Sequence, residues 1–222
     1  MARTELLNKL RRQLNVSFDD QTSDDQRRRE AVESRLTQHR ANTIPQRARQ
    51  PHKVLVDLFQ SKIETAQATV ARVESAEDIL DAVSNYLGPG KHDLCITISD
   101  EFKEIDFAKN DNFNCLPWSP KASLKICISD CVGAVAETGS LVVSSSKTMP
   151  LSFNFLGDAH IVLLKAELIV GAYEDIWEKV RSNLPRDITL VSGPSCTGDI
   201  EMIMEFGAHG PKNLHVVIVG AE

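Results

Sequence analysis

Ile188-Thr189-Leu190-Val191-Ser192-Gly193-Pro194-Ser195-Cys196-Thr197-Gly198-Asp199-Ile200-Glu201 runs from an apolar, strand-like segment straight into a glycine-rich polar loop. A second polar turn, Gly207-Ala208-His209-Gly210-Pro211, leads into another apolar run over residues 214–219. Hydroxyls, carboxylates and glycines are thus crowded between two segments that read as buried strands. In open α/β sheets ligands bind beyond the carboxyl ends of the strands. The loop therefore reads as a site rather than a spacer.

Working outward, residues 54–66 have helical spacing, with Leu55, Leu58, Phe59 and Ile63 on one face. Residues 69–73 read as a strand. Ser75 is placed as an N-cap with Asp78 at N3, and the helix it opens runs to about Leu87, where Gly88-Pro89-Gly90 ends it. Apolar runs at 94–98, 124–128, 131–136, 140–144, 159–164, 188–191 and 214–219 complete the strand set, with a short helix over 173–181. Near-continuous apolar strands alternating with helices predict a mostly parallel sheet covered on both faces, an α/β fold.

Residues 1–50 differ from the rest. They hold 11 Lys/Arg against 7 Asp/Glu, about +4, whereas the remainder holds 14 against 24, about −10, for a total of −6. Leu6, Leu7, Leu10 and Leu14 predict a short amphipathic helix. Residues 26–40 predict a second, highly charged one, and Pro45 and Pro51 break the pattern. Residues 1–50 are read as a charged helical arm, solvated or docking on a partner, and 51–222 as the α/β domain. The acidic balance argues against nucleic acid. No apolar run approaches the roughly 20 residues of a membrane span. The N-terminus lacks a secretory h-region, so a cytoplasmic location is expected. The five cysteines, Cys95, Cys115, Cys127, Cys131 and Cys196, form no C-x-x-C pair. A disulfide framework or a cluster held by this chain alone is not expected.

Three constellations carry chemistry. Glu137 sits at a tight turn beside Thr138, Gly139 and Ser140, where a carboxylate can serve as nucleophile or base and neighbouring N–H groups can hold an anion. In the opening loop Ser192, Ser195 and Thr197 offer hydroxyls, Gly193 and Gly198 permit close backbone approach, and Asp199 and Glu201 are acidic. The loop matches neither a P-loop, nor G-x-G-x-x-G, nor a nucleophile elbow. His209 lies near Ser195 and Asp199 in sequence, which raises a triad without establishing its geometry. His160 and His215 begin strands, and no His/Cys spacing supports a metal. Trp118, between Pro117 and Pro120, reads as a packed loop or a pocket wall.

Three segments, 136–141, 192–201 and 207–216, resemble in order and spacing the LUD-domain family (lactate utilisation), in particular its LutC/YkgG branch. The likeness spans about residues 45–220. It implies a Rossmann-like, three-layer α/β/α fold of the NagB/RpiA/CoA-transferase group. It implies a subunit supporting oxidation of L-lactate to pyruvate beside two iron–sulfur proteins, with no cofactor held by this chain. A small anionic metabolite would bind at the 137–140 and 192–201 loops, and the arm would contact the partners or a second copy in a homodimer. Cys196 stands where the family places a basic residue, Gly198 where it places alanine, and Ser140 where it places threonine. Residues 147–156 lack an expected arginine. Arg offers a charged fork that Cys does not, which weakens the expected grip on an anion. Two rival readings remain open. One is an independent CoA-transferase-like enzyme with Glu137 as nucleophile. The other is a non-catalytic ligand-binding or regulatory module.

Overall fold

A computed structural model describes residues 3–13, 23–38, 42–119, 125–146, 150–198 and 204–221. The chain divides into two compact units, residues 1–43 and 44–222. The first contains helices α1 (Arg3–Gln13) and α2 (Ser23–Gln38). Leu6, Leu7 and Leu10 of α1 are exposed, as are Val32 and Leu36 of α2. The unit boundary falls before residue 50 because Ala48 is buried in the second unit, while Arg47 reaches Glu137 and His52 meets the Ala166 carbonyl at 2.9 Å.

The second unit opens with α3 (His52–Thr65), β1 (Thr69–Val73) and α4 (Ile79–Leu87). The Asp78 carboxylate accepts the Ser75 backbone N–H at 3.0 Å, which fixes the approach to α4. Gly88, with φ of +74°, stops it. β2 (His92–Thr97), β3 (Phe113–Leu116), β4 (Ile126–Asp130), β5 (Gly133–Val135) and β6 (Ser140–Ser144) follow. Next come β7 (Ala159–Lys165), β8 (Ile169–Val170), α5 (Tyr173–Val180), β9 (Ile188–Val191), β10 (Cys196–Gly198), β11 (Met204–Phe206) and β12 (Asn213–Val219).

Six strands form the main sheet in the order β1-β12-β7-β4-β2-β3, and every pairing is parallel. The predicted parallel sheet covered on both faces is therefore present. Alternation along the strands divides the core. Val162, Leu164, Val216 and Ile218 face Leu55, Phe59 and Ile63 of α3. Ile161, Leu163 and Val217 face Ile79 and Val83 of α4. Strand period two is enough to feed both layers from one apolar run.

Four strands depart from the single-sheet expectation. β8-β5-β6-β9 form a second sheet in which β6 pairs antiparallel with both β5 and β9. Leu141 turns inward to the α3 core, whereas Val142 turns outward to Ile176 and Val180 of α5. β9, read as one of the parallel strands, is only half-buried and belongs here. Residues 196–198 and 204–206 form a small exposed antiparallel hairpin rather than a plain loop. Among the described residues no helix is long and apolar enough to cross a membrane.

The polar loop leaves the carboxyl end of β9 but returns at the amino end of β12, so it covers the amino end of the main sheet. The carboxyl end has its own crevice. The connection leaving β2 runs outward to β3 while that leaving β4 runs back toward β7, a topological switch point. A crevice of about 930 Å³ lies there, lined by Thr97, Ser99, Asp100, Glu101, Asp130 and Cys131 among others.

Candidate functional site

The turn between β5 and β6 is held on both sides. Ala136 and Glu137 donate their backbone N–H groups to the carbonyls of Val170 and Gly171 at 2.8 and 3.2 Å. Gly139 has φ of +65°, and a Cβ there would lie 2.7 Å from the Ile63 nitrogen, so only glycine lets this turn lie against the end of α3. The Glu137 side chain leaves the turn toward the start of the unit. Its Oε1 accepts a hydrogen bond from Arg47 at 2.6 Å, with Glu137 15% exposed and Arg47 64% exposed.

Behind the turn, Ser140 is fully buried and meets three hydroxyls: Ser192 at 2.6 Å, Thr138 at 2.7 Å and Tyr173 at 3.0 Å. A serine hydroxyl has one hydrogen and two lone pairs. Two of the three neighbours must donate to it and the third must accept, which uses its full capacity. The Ser140–Ser192 contact follows from register. Leu141 pairs with Val191 and Val142 with Leu190, so the antiparallel ladder brings Ser140 opposite Ser192.

Ser192 opens the second half of the site. A cavity of about 400 Å³ is lined by Ser192, Gly193, Ser195, Cys196, Thr197 and His209, with His160, Leu190 and Leu214 below. The loop is stitched to the 207–211 turn. Ser195 donates its N–H to the Pro211 carbonyl at 2.8 Å, and its own carbonyl accepts from Gly207 at 2.9 Å. Its Oγ accepts the backbone N–H of His209 at 3.2 Å, which leaves the hydroxyl hydrogen for another partner. The backbone of His209, not its ring, makes this contact, so these two residues do not form a serine–histidine pair. Gly193 has φ of +140°, whereas Gly198 takes no positive φ and ends β10. Asp199 and Glu201 lie outside the described residues.

The two loops therefore meet through Ser140 and Ser192, but they do not line one chamber. Glu137, Thr138, Gly139 and Ser140 are absent from the described lining of the cavity, and Glu137 faces Arg47 instead. The described lining contains no Lys, Arg, Asp or Glu. A ligand there would meet hydroxyls, backbone and imidazole. His160 is buried, and burial lowers its pKa to about 4, so it is neutral near pH 7.

Other expectations find their places. Trp118 is half-buried against Cys95, Cys127 and Phe153, and it borders an open cleft that also includes Lys179 and Arg186. Cys95 and Cys127 are buried neighbours on adjacent strands, and burial pushes the Cys127 thiol up to about 12. Among the described residues no three His, Cys, Asp or Glu side chains gather as a metal site. His215 hydrogen-bonds Thr69 at 2.8 Å and stacks on Tyr86 with ring centroids 4.0 Å apart. Sequence reading did not single out Arg47 or Tyr173, because each becomes relevant only through a partner more than thirty residues away.

The Bacillus subtilis lactate utilization protein C is 30% identical over 91 residues, 38% of either chain. The Deinococcus radiodurans protein of that name is 30% identical over 96 residues, 42% of this chain and 45% of its own length. The uncharacterized protein YkgG of Escherichia coli is 30% identical over 91 residues, 39% of its length. These matches span less than half of the relatives. A crystal structure of a DUF162 family protein from D. radiodurans superposes with a TM-score of 0.56 over 77% of this chain and 99% of its own, at 19% identity, which shows a shared fold. A family model described as the LUD domain matches residues 56–219, nearly the whole of the α/β unit. The chain belongs to the LUD-domain family.

Proposed function

We propose that this chain is a LutC-like subunit in lactate utilisation. It binds a small carboxylate metabolite in the cavity beneath the 192–197 loop, while two iron–sulfur partner proteins carry the electrons. The observation that supports this most is the convergence of Ser192, Ser195, Thr197 and His209 on one cavity without an opposing carboxylate in its described lining. Hydroxyl donors in a partly desolvated pocket can hold a carboxylate without a fixed cation, more weakly than an arginine would. Redox chemistry is assigned to the partners because the described cysteines are dispersed. The exposed leucines of α1 offer an apolar surface for such contacts.

In this reading Glu137 positions the turn, through Arg47, rather than attacking substrate. The CoA-transferase alternative makes a different prediction. Acyl-CoA followed by hydroxylamine would then leave a hydroxamate on the Glu137 peptide, detectable by mass spectrometry. An unmodified peptide is expected.

The main test is reconstitution. The purified chain with L-lactate and an electron-accepting dye should show no turnover, and adding the two iron–sulfur proteins should produce it. Robust lactate oxidation by the isolated chain would overturn the proposal, as would full activity of the partners without it.

A further inference from the structure

The floor of the cavity carries a fixed proton arrangement that the loops above it do not need. His160 on β7 points its Nε2 at the Ser129 hydroxyl on β4, 2.8 Å away. Ser129 Oγ lies 3.1 Å from Asn154 Oδ1, and Asn154 Nδ2 donates to the Leu151 carbonyl at 3.1 Å. Ser129, Asn154 and His160 are each no more than 1% exposed.

The direction of every hydrogen bond in this chain follows from valence. The Leu151 carbonyl only accepts, so it fixes which end of the Asn154 amide is the donor. Oδ1 then faces Ser129 and also only accepts. The single hydroxyl hydrogen of Ser129 must therefore go to Oδ1. What remains on Ser129 toward His160 is a lone pair, so Nε2 must carry the hydrogen. A neutral imidazole protonated at Nε2 has a bare lone pair at Nδ1. Among the described residues nothing donates to Nδ1, and His160 is part of the cavity lining.

We propose that His160 determines specificity in this cavity: its Nδ1 accepts a hydrogen bond from a ligand hydroxyl, so that the site takes a 2-hydroxy acid in preference to the matching 2-oxo acid. The inference rests on the reading of the cavity as a carboxylate site. Both acids share the carboxylate, which Ser195 and Thr197 would hold equally. They differ at one group. A hydroxyl donates to Nδ1, whereas a keto oxygen sets lone pair against lone pair where water has been excluded. A site built around a hydrogen-bonding group rejects the analogue that lacks its partner. The Asn154–Ser129 chain makes the preference rigid, because without it the imidazole could move its hydrogen to Nδ1 and accept the keto form. Selecting the reduced partner would load substrate and release product at the same pocket.

The test is calorimetric titration of the full chain with L-lactate and pyruvate, repeated with 2-hydroxybutyrate and 2-oxobutyrate. In the wild type the hydroxy acid of each pair should bind about ten-fold more tightly. His160→Gln can still reach Ser129 but has no acceptor where Nδ1 was, and it should bring the ratio to within two-fold. Ser129→Ala frees the tautomer and should also shrink the ratio, and it serves if the first variant does not fold. Ser195→Ala should weaken both acids and leave the ratio alone. A wild-type ratio within two-fold, or a ratio unchanged in His160→Gln and Ser129→Ala, overturns the inference but leaves the carboxylate site standing. If no acid of either pair binds the wild type at millimolar concentration, the carboxylate-site reading falls and this inference falls with it.

Discussion

Gly171→Ala is the sharpest structural perturbation available, because it reaches the Glu137 carboxylate through Ala48 and Arg47 while leaving the Glu137 side chain itself unaltered. A Cβ at Gly171 would lie 1.8 Å from the Ala48 carbonyl oxygen and 2.8 Å from its carbon. Carbon and oxygen approach comfortably at about 3.3 Å, so the Ala48 peptide would have to retreat by about 1.5 Å. Gly171 has no positive φ, so alanine is not penalised by backbone conformation and the effect is steric. Two routes relieve it. If residues 45–49 stay in place, overpacking costs about 1–3 kcal/mol. If they peel away, the Arg47–Glu137 pair is lost. That pair is worth about 1 kcal/mol at most, because Arg47 is largely exposed and solvent screens it. The burial of Ala48 is lost as well. The cheaper route sets the result, and we expect a destabilisation of about 2 kcal/mol with the segment released. Urea denaturation measures the first quantity. Trypsin cleavage after Arg47 and Arg49 measures the second and should accelerate. Once the segment is released, Arg47→Ala should add nothing further, so the double variant should match Gly171→Ala alone. Full stability with unchanged proteolysis, or simple additivity of the two substitutions, would refute the reasoning.

Other outcomes follow from the same geometry. Ser140→Ala should lose about 2 kcal/mol, since it strands three hydroxyls around a buried hub, whereas Ser140→Thr should stay within about 1 kcal/mol; equal losses by urea midpoint would mean that the hydroxyl network is not what matters. Burial lowers the pKa of both His160 and His215 to about 4, below the ordinary value of 6.5. The unfolded chain therefore binds these protons first. Stability should be complete above pH 6.5 and fall toward pH 4, by at most about 2 kcal/mol per histidine between pH 6.5 and 5. His160→Gln should flatten a midpoint-against-pH profile, and an unchanged slope would count against it. Cys115 and Cys196 are exposed and should label with a thiol reagent in the native protein, while Cys95 and Cys127 should label only on unfolding. Cys115 should label more slowly than a free thiol in solution, because burial and the nearby Asp106 raise its pKa. Asp130→Asn, at the opposite end of the main sheet, should leave lactate affinity within two-fold; a large gain would move the anion site to that end.

The sequence was legible where one strand or helix answers to its own pattern. Residues 69–73, 140–144 and 188–191 begin and end where their apolar runs do. Of the missed strands, β8 is a two-residue apolar piece too short to show a pattern, and the others lack that signature. β3 buries only Phe113, and β10 and β11 bury nothing. Sheet membership was not legible either. The run Ile188–Val191 looks the same whether it joins a parallel sheet or pairs antiparallel with β6, because strand period says which face is buried and not which strand lies alongside. For the same reason the Ser140–Ser192 contact, 52 residues apart in the chain, could be suspected from composition but not placed. His160 shows the limit most clearly. At the start of a strand it is an ordinary residue, and its tautomer is set by Ser129 on a different strand and Asn154 in a different turn.

Among the described residues, charge favours the amino end of the sheet for the proposed anion. The switch-point crevice is where an α/β sheet ordinarily places its ligand, and it is the larger of the two spaces considered. Yet Asp100, Glu101 and Asp130 line it, and the ammonium of Lys165, close by, is already engaged with Glu101 at 2.8 Å. An anion held 5 Å from one of those carboxylates would be repelled by about 3 kcal/mol at an effective dielectric of 20. At the amino end the described lining holds no Lys, Arg, Asp or Glu, so no described carboxylate opposes the hydroxyls that line it. In the proposed reading such a site would bind a carboxylate weakly and be sensitive to the rest of the ligand. In that reading it would discriminate through His160, whose hydrogen-bonding direction is fixed, so the bare Nδ1 would carry more weight here than beside an arginine.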